Sequence, residues 1–217
     1  MIALVSGATL TLNKYVYTGR FGRLVVPRAG NSVESVVCDG LSWACDNDAF
    51  SCFDEMRFRR MLSRFAGRSG CLFVTCPDVV GDAAATLGRF HEWKTEIREL
   101  GFRLAFAGQD GCAASSIPWD EFEALFIGGS DRWKESHEAM CLADLGKVRG
   151  KWVHVGRVNS FRRFRKLWDW DSVDSIDGRS FSAWPEIYMP KLVGWLSRLE
   201  DQSRLPFIDP DLELLSS

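Results

Sequence analysis

Several short apolar runs in this 217-residue chain end in a carboxylate, an amide or glycines, and helical stretches separate them. They are Trp43-Ala44-Cys45-Asp46-Asn47, Leu72 to Thr75 with Cys76-Pro77-Asp78, Leu104 to Ala107 with Gly108-Gln109-Asp110, Leu125-Phe126-Ile127-Gly128-Gly129 and Val153-His154-Val155-Gly156-Arg157. Asp171-Ser172-Val173-Asp174 follows the same rule. Short apolar runs of this kind read as buried strands, and strands alternating with helices through short links imply a parallel sheet. Seven or eight such strands favour a closed (β/α)8 barrel, in which the C-terminal strand ends carry the chemistry. The chain is short for that fold, so abbreviated outer helices are expected.

The remaining elements follow from local signals. Ile2 to Val5 and Tyr15 to Thr18 read as a strand pair or rim cover, followed by a strand at Leu24 to Val26. Helices are expected over Phe53–Phe65, Asp82–Leu100, Asp131–Leu145, Ser160–Trp168 and Pro185–Leu199. Asp82 and Ser160 are N-cap types, Gly101 suits a helix end, and Pro185 suits a first turn. Residues 1–204 read as one barrel domain and 205–217 as an extended acidic tail, with the eighth strand unplaced.

Apolar content of 46% beside 26% charged residues is that of an ordinary globular protein, and no apolar run reaches the length of a membrane span. The N-terminus Met1-Ile2-Ala3-Leu4-Val5 lacks the features of a signal peptide, so a cytoplasmic location is expected. Seven scattered cysteines, Cys71 and Cys76 sharing one strand, fit apolar packing in a reducing compartment rather than zinc or disulfides. The net charge of −2 argues against a uniformly nucleic-acid-coating surface. Basic residues cluster locally at Arg57 to Arg60 and at Arg157, Arg162, Arg163, Arg165 and Lys166.

At one barrel mouth Asp46, Asp78, Asp174, Gln109 and Gly128-Gly129 would converge. A carboxylate accepting from ring N–H and amino groups, with an amide and a backbone N–H donating to a carbonyl, reads the edge of a purine. A second carboxylate can attack a sugar carbon and a third can handle protons, while Phe50 can stack on the ring. Each segment taken alone is also an ordinary turn sequence. A metal site is the rival chemistry, but His154 is the lone histidine on a candidate strand, so no metal is expected.

The order of these segments, from about Leu24 to Asp177, resembles the tRNA-guanine transglycosylase superfamily, and more closely its short phage-type DNA-guanine transglycosylases. Asp46-Asn47-Asp48-Ala49-Phe50 is similar to the family's Asp-Asn-Gly-Ala-Phe motif, which implies proton handling by Asp46 and stacking by Phe50. Pro77-Asp78 resembles the loop that reads the amino edge of guanine, and Gly108-Gln109-Asp110-Gly111 the segment that contacts its carbonyl. Phe126-Ile127-Gly128-Gly129 resembles the strand end that supplies a backbone N–H, and Val153 to Arg157 the strand that puts Val155 on the other ring face. Asp171-Ser172-Val173-Asp174 resembles the Asp-x-x-Asp strand whose second carboxylate, Asp174, is the nucleophile.

The resemblance implies exchange of guanine in DNA for a 7-deazaguanine through an aspartyl-sugar ester, with no cofactor and, if the chain is phage-encoded, in the host cytoplasm. The basic Arg162–Lys166 helix, with Arg157 at the rim, is placed to hold backbone phosphates. Arg157 could equally brace Asp174. Three departures stand out. The cysteine-and-histidine zinc site of the tRNA enzymes is missing, Asp48 replaces a small residue, and Ser175-Ile176-Asp177-Gly178-Arg179 follows Asp174 where short relatives carry Gly-Thr. Asp171 and Asp177 therefore stand as alternative nucleophiles. Base exchange on RNA or nucleosides, and a non-catalytic base-binding barrel, are the competing functions; protein partners are left open.

Overall fold

A computed structural model describes residues 1–7, 9–18, 20–29 and 40–203, so the expected 205–217 tail and Cys38 lie outside the described residues. Eight parallel strands close into a barrel in chain order: β1 Ile2–Ser6, β2 Phe21–Val25, β3 Trp43–Cys45, β4 Cys71–Thr75, β5 Leu104–Gly108, β6 Ala124–Ile127, β7 Trp152–Val155 and β8 Ser175–Asp177. Closure joins β1 to β8, with Leu4 opposite Asp177. The fold is a compact (β/α)8 barrel.

Helices follow the strands: α1 Leu10–Val16, α2 Glu55–Phe65, α3 Ala83–Glu99, α4 Asp131–Lys134, α5 His137–Val148, α6 Phe161–Trp168, α7 Arg179–Ala183 and α8 Pro185–Ser203. The outer layer is abbreviated where β5 meets β6, since two 3-10 turns, Ala114–Ser116 and Trp119–Glu121, replace a helix. Asp54, Asp82, Ser130, Ser136 and Ser160 each accept a backbone N–H from the first helical turn, which fixes where α2 to α6 begin.

Side chains alternate between two cores, as the period of a strand requires. Leu4, Leu24, Ala44, Phe73, Ala105 and Ala124 fill the barrel interior. Val5, Val25, Cys45, Val74, Phe106, Leu125, Val153, Val155 and Ile176 face outward onto the helices.

Four expectations are corrected. The Tyr15–Thr18 segment is not a strand: α1 ends in it, because Leu12 and Val16, four apart, bury one helical stripe and Thr9 caps the start. Ile2–Ser6 is the first barrel strand rather than a rim cover. Asp171–Asp174 precedes the barrel strand, which is Ser175–Asp177. The Asp131–Leu145 helix is broken after Lys134, where Ser136 caps a second start. Among the described residues no helix is long and apolar enough to cross a membrane, and Cys45, Cys52, Cys71, Cys76, Cys112 and Cys141 are free thiols.

Candidate active site

A cleft of about 70 Å³ opens at the C-terminal end of the barrel, lined by Asp46, Asn47, Phe50, Asp78, Gln109, Phe126, Gly128, Gly129, Lys134, Gly156, Arg157 and Asp177 among others. Six of the strands contribute to it, directly or through the loop that follows each. This is where the barrel geometry puts loops from different strands within reach of one ligand.

One wall is a polar relay. Asn47 Nδ2 donates to Asp78 Oδ1 at 2.7 Å and to the Cys76 carbonyl at 2.9 Å. Gln109 Nε2 donates to Asp78 Oδ2 at 2.7 Å, and Gln109 Oε1 accepts from Gly81 N at 3.0 Å. Donors on both sides orient Asp78, while burial raises its pKa above the usual carboxylate range. Beside it Gly128 and Gly129 carry no side chain for steric reasons. A Cβ on Gly128 would lie 2.7 Å from Gln109 Nε2, and one on Gly129, at φ +74°, 2.6 Å from Asp110 Oδ2.

The opposite wall holds two carboxyl groups. Asp177 Oδ2 is 3.1 Å from His154 Nε2, and Asp177 Oδ1 accepts the Arg157 backbone N–H at 3.2 Å. Arg157 adopts a left-handed φ of +62° to present that N–H, a conformation uncommon for a non-glycine residue. Asp46 is pushed up to about 8, first by burial and then by the charges of Asp177 and Asp78. At neutral pH it therefore carries a proton, beside a second carboxyl group: a pair suited to dividing acid and nucleophile roles.

Phe50 stands at the mouth, 58% exposed, with the Arg157 guanidinium 3.5 Å from its ring centroid. A second, more open cavity of about 390 Å³ shares Asp46, Phe50, Arg157 and Asp177 with the cleft and is lined by Arg28 and Arg179. The two cavities meet at the carboxyl pair.

Of the residues expected from sequence, Asp46, Phe50, Asp78, Gln109, Gly128, Gly129 and Arg157 line this cleft. Asp174 does not. It lies before β8, at the N-terminal end of the barrel, where Oδ1 is 2.5 Å from Lys147 Nζ and Oδ2 accepts Val153 N–H at 2.8 Å. Asp177 occupies the position that the sequence reading gave to Asp174. Arg157 correspondingly bonds Asp177, through its backbone, rather than bracing Asp174. Asp177 already stood as an alternative in the sequence reading: Asp174-Ser175-Ile176-Asp177-Gly178 repeats the Asp-x-x-Asp spacing and places a glycine directly after the second carboxylate.

Val155 is likewise corrected. Strand alternation turns it outward into the helix-facing core, so Phe126, not Val155, supplies apolar surface to the cleft. The basic helix is largely occupied by the protein's own acids. Arg162 and Arg163 pair with Glu135, Arg163 also reaches Asp131, Lys166 donates to the Glu135 carbonyl, and Arg165 lies 3.8 Å from Asp169. None of Arg162, Arg163, Arg165 and Lys166 lines either cavity.

Asn47, Ala49, Val80, Phe126, Lys134 and Gly156 also line the cleft, and none of them was among the expected site residues. His154, seen only as a lone histidine, is fully buried below the cleft between Phe73 and Phe126, with ring centroids 5.4 and 4.6 Å away. Among the described residues no group of three or more His, Cys, Asp or Glu could hold a metal ion.

No family model and no curated protein matches the sequence. Among solved structures, the HpcH/HpaI aldolase from Desulfitobacterium hafniense DCB-2 superposes with a TM-score of 0.50 at 11% identity, over 96% of this chain and 95% of that one. A native KDPGal structure gives a TM-score of 0.47 at 14% identity, over 82% of each chain. The Bacillus subtilis YkuI protein, with an EAL domain and in complex with substrate c-di-GMP and calcium, gives 0.41 at 12% identity over 75% of this chain. The matched part is 44% of the YkuI chain, so this chain spans less than half of it. At identities this low the likeness shows the fold alone.

Proposed function

We propose that this barrel is a guanine transglycosylase, exchanging guanine in a nucleic acid, DNA by preference, for a 7-deazaguanine through a covalent aspartyl-sugar ester. The observation that carries the reading is the meeting of two cavities at Asp46 and Asp177. A base seated in the inner cleft and a sugar-phosphate chain in the outer, arginine-lined one would put the glycosidic bond beside both carboxyl groups. The relay of Asp78 and Gln109 and the backbone N–H of Gly129 would then match the amino, ring N–H and carbonyl edge of guanine, the Gly128 N–H being taken by the Gly108 carbonyl at 2.9 Å. Phe50 offers a stacking face at the mouth.

The step balances on these residues. An Asp177 oxygen attacks C1′ as the C1′–N9 bond breaks, and the proton on Asp46 goes to the departing guanine. The incoming base gives its N9 proton back to Asp46, its nitrogen attacks C1′, and the ester bond to Asp177 breaks. Asp46 holding a proton at neutral pH suits the first half. A guanine in duplex DNA has to be flipped out to reach the cleft.

The test is incorporation of labelled guanine into duplex DNA, single-stranded DNA and tRNA by the purified chain and its Asp177→Ala variant. Label in DNA that depends on Asp177 supports the reading. Label in tRNA alone moves the substrate to RNA, and no label in any polymer overturns polymer base exchange.

A further inference from the structure

Lys134 has no role in the reaction so far, yet it ends α4 at the wall of the base cleft and is 3% exposed. Its Nζ donates to the Gly156 carbonyl at 3.1 Å and pairs with Asp131 Oδ1 at 3.1 Å. An ammonium carries three donors, so these two partners leave one N–H for a ligand. A buried cation left short of partners is costly, and burial lowers the Lys134 pKa accordingly.

Its place around the cleft says which part of a base it would meet, given the base-exchange reading above. Both the barrel rim and the perimeter of guanine are closed circuits. From β4 onward the rim presents Asp78, then Gln109, then Gly128-Gly129, then Lys134 with Gly156, then Asp177. From the amino edge onward guanine presents the 2-amino group and N1–H, then O6, then position 7, then position 8 and N9 with C1′. Setting Asp78 on the amino edge and Asp177 at C1′ aligns the circuits and leaves Lys134 opposite position 7.

In guanine position 7 is a nitrogen acceptor, which satisfies the third N–H. In a 7-deazaguanine it is carbon, and the ammonium loses its partner unless a substituent there supplies one. We infer that Lys134 is a specificity-determining residue that selects incoming 7-deazaguanines carrying an electron-rich acceptor at position 7, a carboxylate, carboxamide or nitrile, and rejects those carrying an aminomethyl cation. The carboxylate gains a charge-assisted bond, whereas the cationic substituent meets a like charge in a poorly solvated site.

The experiment is calorimetric binding of guanine and of 7-carboxy-, 7-cyano- and 7-aminomethyl-7-deazaguanine to the full chain and to Lys134→Met, with guanine exchange measured in parallel. Wild type should bind the carboxy base at least about tenfold more tightly than the aminomethyl base, and Lys134→Met should bring the two within about threefold. Melting of the variant checks its fold, while the wild-type series stands without it. Exchange of guanine with no such preference in wild type, or a folded Lys134→Met that keeps the preference, overturns this inference and leaves base exchange standing. No binding and no exchange with any base, guanine included, overturns both.

Discussion

His154 and Asp177 are hydrogen-bonded at 3.1 Å at the base of the cleft. An ionised carboxylate only accepts, so beside one the proton of a neutral His154 resides on Nε2 and points at Asp177. His154 Nδ1 is then left to accept from Ser175 Oγ at 2.8 Å, and that oxygen accepts from Trp152 Nε1 at 2.8 Å. One Asp177 oxygen is held by this imidazole and the other by the Arg157 backbone N–H, which orients the carboxyl group before any substrate arrives.

That orientation separates Asp177 from Asp174 experimentally. Asp177→Asn should lower exchange at least about 10³-fold with little change in stability, as loss of a nucleophile does. Asp174→Asn should keep exchange within a few-fold but cost about 1–2 kcal/mol in denaturant melts, from the weakened Lys147 pair and Val153 hydrogen bond. The reverse pattern would return the nucleophile to Asp174.

Asp46 predicts a pH signature with a definite sign. Its pKa rises from 3.8 to about 8 on folding, so between those values the native state holds a proton that the unfolded chain has lost. Its contribution to stability is complete below about pH 4 and is lost as pH rises to about 8. Melting temperature measured from pH 4 to 9 should therefore fall less steeply in Asp46→Asn than in wild type. The first half-reaction, read as release of guanine, should decline in wild type above about pH 8. Equal slopes for the two proteins would contradict the shift.

Gly129→Ala should destabilise by about 1–3 kcal/mol. The new methyl group would sit 2.6 Å from Asp110 Oδ2 and 2.9 Å from the Trp133 ring, at a φ that L-residues rarely adopt. Asp110 also accepts from Ser130 N at 2.7 Å and Ser130 Oγ at 2.6 Å, so the displacement would reach the cap of α4 and with it Lys134. Thermal melting and base affinity should worsen together.

The basic helix and the outer cavity make opposite predictions about salt. Arg163→Ala should cost about 1–2 kcal/mol of stability, because Glu135 and Asp131 lose a half-shielded partner, and should leave the salt dependence of nucleic-acid binding unchanged. Arg179→Ala, on the cavity that joins the base cleft, should reduce the slope of log affinity against log salt by about one. Filter binding over a range of salt concentrations distinguishes the two.

Local signals in the sequence were enough for the barrel and much of the rim. Caps at Asp82 and Ser160 and the apolar runs from Trp43 to Val155 are encoded within a few residues each, and a polar residue just past a buried strand has only the mouth to enter. Asp46, Asp78, Gln109 and Gly128-Gly129 were legible for that reason.

Tertiary structure alone decided what depends on register and on distant partners. In a strand a shift by an odd number of residues turns a side chain to the other face, so Asp174 and Asp177, three apart, look alike in sequence and end on different sides and at different ends of β8. The same rule sends Val155 outward and His154 inward. The charges of Arg162 and Arg163 met Glu135, 27 and 28 residues earlier in the chain. Lys134 reached the cleft because α4 is cut short after four residues and turns its last side chain toward Gly156. Strand identity is a local property of the chain, whereas the choice of which carboxylate and which cation face a ligand is made only when the barrel closes.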